Sequence, residues 1–296
     1  MFHRYTAWLL TPGLAAPGLV LATDNHPAGL MQFLDRLREL SGGKPVGFKF
    51  CVGHVWEWFA IVRAMLDTGL LPDFIVVDGA EGGTGAAPVE FADHVGMPLQ
   101  EGLLLVHNTL VGAGLRDRIR LGASGKIISA FDIARTLALG ADFCNSARGF
   151  MFALGCIQAQ TCHTGTCPTG VTTQDPSRQK ALVVPDKTER VYHFHRNTVK
   201  ALAELVAAAG LQGPEQITAK HVMRRLSPQV VKSYAELFNF LNPGVLLQPG
   251  TSLPEPWASL WPRARASSFS VAEGVVAGLA TGAHATEGRT YLGQVA

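Results

Sequence analysis

Asp73-Phe-Ile-Val-Val-Asp78-Gly-Ala-Glu81-Gly82-Gly83-Thr84-Gly85 is the stretch on which the fold turns. Four apolar residues, three of them β-branched, follow Pro72 and read as a strand buried on both faces. The glycines after it let the backbone approach a ligand closely and turn N–H groups toward an anion. A glycine-rich loop is also an ordinary tight connection, so its meaning depends on its surroundings.

Outward from this stretch, strands and helices alternate. Upstream, Leu30, Phe33, Leu34, Leu37 and Leu40 mark one face of a helix closed by Gly42 and Gly43. A strand-like run from Val46 to Cys51 leads to a helix through Trp58, Ile61, Val62, Met65 and Leu66 that ends at Gly69. Downstream come a helix around Gly102 to Val111 and a third strand over Arg118 to Leu121. Ser129 and Asp132 then form a capping-box start for a helix that closes at Gly140, and a fourth strand spans Asp142 to Ser146. Such alternation predicts an α/β fold of about four parallel βα units, because only a crossover helix returns the chain for parallel pairing. Helical patterns near Arg196–Ala209, Ala219–Leu226 and Val230–Leu241 are expected to cap this layer. The pattern divides the chain into an aperiodic segment, 1–27, a structured region, 28–247, and a Gly/Ala/Ser/Thr/Pro-rich tail without sustained period, 248–296, expected to be mostly disordered or loosely packed.

Composition narrows the class. Charged residues are 16% and hydrophobic ones 47% of 296, with 32 glycines, the balance of a globular α/β enzyme. The net charge of +2 comes without a long Lys/Arg cluster, so nucleic acid is not an expected partner. No run approaches the roughly 20 uninterrupted apolar residues of a membrane span. The apolar start, Met1 to Ala22, is interrupted by Pro12 and Pro17 and lacks a clear cleavage site. Three of the five cysteines crowd into one loop, which argues for metal or cofactor ligation in a reducing compartment, hence a cytoplasmic location.

That loop carries the strongest chemical signal: Gly155-Cys156-Ile-Gln-Ala-Gln-Thr-Cys162-His163-Thr-Gly-Thr-Cys167-Pro168. Thiolates are the ligands iron–sulfur clusters require, and three in place of four suggest a three-iron cluster. A zinc site using His163 and a purely structural role are the alternatives, although adjacent Cys162 and His163 would struggle to reach one tetrahedral ion. Lys49 interrupts the apolar strand Gly47-Phe-Lys49-Phe-Cys51 and, by alternation, projects toward a barrel axis, where an ammonium needs an anionic partner such as a reduced flavin. Gly122-Ala-Ser124-Gly125-Lys126 and Asn145-Ser-Ala147-Arg148-Gly149 end successive strands, the usual place for a phosphate site in a barrel. The first is out of register for a Walker A loop. Cys51 and Cys144 read as packing residues, and His193 and His195 as surface or packing residues.

Together these motifs, with His107-Asn-Thr-Leu ahead of Gly114-Leu-Arg-Asp-Arg and the run to Pro176, resemble the FMN-binding synthase domain of the glutamate synthase family over about Gly29 to Leu247. The resemblance implies a TIM-type (β/α)8 barrel that binds FMN and a [3Fe-4S] cluster. It also implies reduction of the 2-imino acid formed from 2-oxoglutarate and ammonia to L-glutamate, with electrons from a donor protein or reductase subunit. On this resemblance Cys156, Cys162 and Cys167 hold the cluster and Lys49 lies beside the flavin as the catalytic residue. Gly82, Gly83 and Thr84 lie near flavin and substrate, and Ser124, Gly125, Ala147 and Arg148 surround the phosphate. Only the family's last four βα units are recognisable, so the first half-barrel is expected from a longer gene or a second chain. No GxGxxG motif for a nicotinamide cofactor is present.

Overall fold

The computed structural model describes residues 26–82 and 89–270. Four strands form one parallel sheet in chain order: β1 (Gly47–Phe50), β2 (Phe74–Asp78), β3 (Arg120–Ser124) and β4 (Phe143–Asn145). Helix α1 (Pro27–Leu40) precedes β1; α2 (Val55–Thr68), α3 (Leu99–Gly112) and α4 (Ala130–Ala138) make the crossovers. Each helix starts or stops where its sequence dictates. His26 Nδ1 accepts from the Gly29 N–H at the start of α1, Gly69 closes α2 at φ +70°, and Ser129 and Asp132 form the capping box of α4.

Strand alternation sorts the sheet into two faces. Phe48, Phe50, Ile75, Val77, Leu121 and Ala123 are buried, and Phe50 stacks on Trp58 of α2 at 5.2 Å. The opposite face carries Gly47, Lys49, Phe74, Val76, Asp78, Gly122, Ser124, Phe143 and Asn145. Its large rings lean on glycines: a Cβ on Gly47 would run into the carbonyl and ring of Phe74, and one on Gly122 into the ring of Phe143.

After β4 follow α5 (Arg148–Leu154), the cysteine loop, α6 (Pro176–Gln179) and the long α7 (Val184–Ala208), which packs on α4 and α5. The next two segments are not the expected helices. Met223–Ser227 (β5) and Val230–Ser233 (β6) pair antiparallel, followed only by a four-residue helix, α8 (Tyr234–Leu237). Pro228 cannot continue a helix, and the β-branched pair Val230-Val231 favours a strand, so local chemistry overrides the weak apolar period.

Residues 248–270 also depart from the expected disordered or loosely packed tail. In α9 (Trp257–Leu260) and just beyond, Trp257, Leu260 and Trp261 are buried in the main core. Trp261 sits edge-on to Phe59 at 5.7 Å, with the Arg63 guanidinium 4.0 Å from its centroid. Three successive residues of α3 fasten other parts of the chain. His107 Nδ1 accepts from Arg116 at 3.2 Å, Asn108 bonds the backbone of Asn239 and Leu241, and Thr109 accepts from the Trp257 indole at 3.0 Å. Among the described residues, no helix is long and apolar enough to cross a membrane.

Candidate functional site at the strand ends

The carboxyl ends of the four parallel strands bring Lys49, Asp78, Ser124 and Asn145 to one rim, with Val76 beside Lys49 and Ser124 between Asp78 and Asn145 in register. Lys49 Nζ lies 2.7 Å from Asp78 Oδ2, with both side chains partly exposed. The anionic partner that Lys49 requires is therefore an aspartate on the neighbouring strand. No signal in β1 itself points to Asp78; the parallel pairing supplies it.

Gly82 follows β2 with its backbone at φ +24°, and its carbonyl accepts from Arg148 Nη2 at 3.4 Å. The loop after β2 and the residue after β4 thus meet. Gly83 and Thr84 lie outside the described residues. Gly125 faces the start of α3, where a Cβ would stand 3.1 Å from Glu81 Oε2 and from Leu99, so close packing already accounts for glycine there. Both carboxylate oxygens of Glu81 accept from the Leu99 N–H at 3.0 Å, satisfying a free donor at the start of α3. Lys126, at φ +47°, pairs with Asp93 at 2.6 Å and ties the β3 loop to the chain beyond the β2 loop. Ser124 and Arg148 are half-buried and Ala147 is exposed. One ammonium, one guanidinium and one hydroxyl on three strand ends form a donor set suited to an anionic ligand.

Cys51 and Cys144 are hydrophobic packing groups in this setting. Burial pushes the Cys51 thiol up to about 11, with Asp78 adding to the rise, and burial raises Cys144 to about 12. A thiol held protonated is a poor nucleophile and a poor ligand.

Cys156, Cys162 and Cys167 behave differently. All three are free thiols and line one small cavity beside Met151, Ile157 and Pro168. The loop is shaped for this: Gly155 ends α5 at φ +103°, Gln158 and Gln160 take positive φ, and Gly165 turns at φ +72°. The Gln158 N–H donates to Cys156 Sγ at 3.4 Å. At Cys167, burial favours the thiol, but hydrogen bonding from Thr169 and Thr172 outweighs it and brings the pKa down to about 6. Cys167 therefore has thiolate character at neutral pH. Among the described residues, no three His, Cys, Asp or Glu side chains converge closely enough to hold a single metal ion. A polynuclear cluster makes a different demand, since its thiolates must border a common space without meeting at one point. The donor chemistry fits that demand. His193 and His195 are exposed on α7, with His193 Nε2 3.6 Å from Glu189.

Comparison with known proteins covers both regions at once. The family described as the conserved region in glutamate synthase matches residues 23–212. The glutamate synthase large subunit-like protein YerD of Bacillus subtilis (strain 168) is 45% identical over 201 residues, 68% of this chain and 38% of that protein. The archaeal glutamate synthase [NADPH] of Methanocaldococcus jannaschii is 36% identical over 189 residues, 64% of this chain and 36% of that protein. The chain thus spans little more than a third of the length of these relatives. Among solved structures, a mutant flavocytochrome b2 with benzoylformate aligns over 75% of this chain and 45% of its own, at 14% identity and a TM-score of 0.38.

Proposed function

The chain belongs to the glutamate synthase family, and on that premise we propose that it is the later half of the barrel of a flavin-dependent oxidoreductase of glutamate synthase type. The observation that carries this reading is that one family match, over residues 23–212, takes in both the rim of strand ends and the cysteine loop. The proposed cofactors are FMN at the rim and a [3Fe-4S] cluster at Cys156, Cys162 and Cys167. When bound, these groups supply electron transfer and hydride chemistry that protein side chains cannot.

The chain's own residues supply position and charge. Lys49 presents a cation at the rim and would stand beside the flavin, where a positive charge favours its reduced, anionic form. Because Lys49 is paired with Asp78, a bound anion must share or replace that partner. Ser124 and Arg148, with the backbone at Gly125 and Ala147, would hold the phosphate; Gly82, Gly83 and Thr84 would border the ring and substrate. Hydrogen bonds at Cys167 prepare one thiolate for iron. The proposed reaction is reduction of 2-iminoglutarate, formed from 2-oxoglutarate and ammonia, to L-glutamate in the cytoplasm, with electrons from a donor protein or reductase subunit.

The test is the visible spectrum and the iron and sulfide content of the full chain purified without oxygen. Flavin bands near ~370 and ~450 nm above broad cluster absorption support the whole reading, whereas cluster absorption alone leaves an electron-carrying remnant. Cys162→Ser should lower iron and sulfide together. Full iron with an unchanged paramagnetic spectrum would remove the ligand assignment.

A further inference from the structure

We infer that the cavity between α3, α4 and the hairpin β5–β6 is a binding site for a free α-amino acid, separate from the rim of strand ends. The inference uses neither flavin nor cluster and goes beyond the proposed reaction. The cavity measures about 300 Å³, the lower bound of the range common for small-ligand sites. Its walls are the first turn of α3, the later part of α4, the loops after β2 and β3 through Glu81 and Gly125, and Arg224 of β5.

Four charged side chains line this space, Glu81, Glu101, Arg135 and Arg224, so the lining carries no net charge. A phosphate or polycarboxylate would meet two carboxylates there, and a polyamine two guanidiniums; either mismatch costs affinity. Two of the four are already engaged. Both oxygens of Glu81 accept from the Leu99 N–H at 3.0 Å, and Arg135 pairs with Asp132 at 3.3 Å. The other two are Glu101 and Arg224, and among the described residues neither forms an ion pair, although both line one cavity.

The register of the hairpin explains why Arg224 is left over. It stands directly opposite Lys232 and on the same face, so the neighbouring strand offers it only a like charge. Glu236, which feels the Lys232 charge, is held by the Ser233 N–H at 2.7 Å and hydroxyl at 2.6 Å. A carboxylate and a guanidinium that share a cavity without meeting suit a ligand that carries the complementary pair. An α-amino acid does so: its carboxylate matches the planar fork of Arg224, and its ammonium matches Glu101. Buried Leu99, Leu103 and Leu139 remain for the apolar part of its side chain, and the Gln100 amide for a polar end.

Isothermal titration calorimetry of the full chain with L-alanine, L-glutamine and L-glutamate tests the proposal. Each is repeated as its N-acetyl derivative, which lacks the ammonium, and as its α-amide, which lacks the carboxylate. The expected result is saturable binding of at least one amino acid below about 10 mM, weakened at least about tenfold in both derivatives. Arg224→Ala and Glu101→Gln should each weaken it by a similar factor with the far-ultraviolet dichroism intact. Arg225→Ala, on the opposite face of β5, and Lys49→Met, at the rim, should leave it unchanged. No saturable binding of any of the three, or derivatives that bind as well as their parents, overturns the proposal on the unaltered chain. So does binding that survives Arg224→Ala, or that Lys49→Met abolishes, which would put the ligand at the rim. The titration reads neither flavin nor iron, so this site and the proposed function fail separately.

Discussion

At the scale of single residues, polarity does two separate jobs. Lys49 stands at an open rim, and its 2.7 Å pair with Asp78 is partly solvated. Lys49→Met removes the rim's cation and leaves Asp78 unopposed, so it should lower the flavin-to-protein ratio and move the reduction potential negative. Both are measurable on purified protein, and an unchanged potential at normal flavin content would place Lys49 away from the flavin. His107 is instead half-buried, beside Arg116. Burial, then the adjacent Arg116 guanidinium, hold its pKa down to about 4. The unfolded chain takes up a proton near pH 6.5 that the folded chain refuses until about pH 4. The stability that His107 contributes is therefore full above pH 6.5 and is lost as pH falls through that window, on the order of 3 kcal/mol at most. His107→Phe should flatten this part of the pH dependence in urea denaturation at pH 7 and pH 4.5. An equal slope in both proteins would show that His107 is not responsible.

At the scale of elements, legibility followed the strength of the local signal. Ser129 with Asp132, and Gly69 after an apolar helix face, fixed helix ends because the cap chemistry is local. The four strands were readable from apolar runs between helices. The hairpin Met223–Ser233 was not, because its apolar residues are sparse and largely exposed, and only Pro228 spoke against a helix. Among candidate site residues, the crowding of three cysteines into one loop was legible from spacing, and their lining of one cavity is what the structure adds. Asp78 as the partner of Lys49 was not legible, since 29 residues separate them and only the register joins them. Pairing also decides which glycines matter. A Cβ on Gly47 would strike the backbone carbonyl of Phe74, whereas one on Gly53 would meet nothing closer than 3.7 Å. Gly47→Ala should cost on the order of 2–3 kcal/mol by forcing β1 away from β2, and Gly53→Ala should change little. Equal midpoints in denaturant would contradict this packing.

At the scale of the whole molecule, the core is closed by its last described residues. Trp257 and Trp261 pack around Phe59, and the two indoles bond Thr109 and the Leu246 carbonyl. Trp257→Ala should lower stability by about 3–5 kcal/mol, and Trp257→Phe by less, since it keeps most of the volume and loses the indole donor. A Trp257→Ala protein with wild-type stability would mean this segment lies on the surface in solution. The same indole bond has a temporal consequence. Thr109 waits 148 residues for its donor, and a ribosome adding about 5–20 residues each second reaches Trp257 about 7–30 s after Thr109. Throughout that interval the nascent α3 is without the indole that later covers it, so the Thr109 side of the helix stays uncovered until Trp257 has been made.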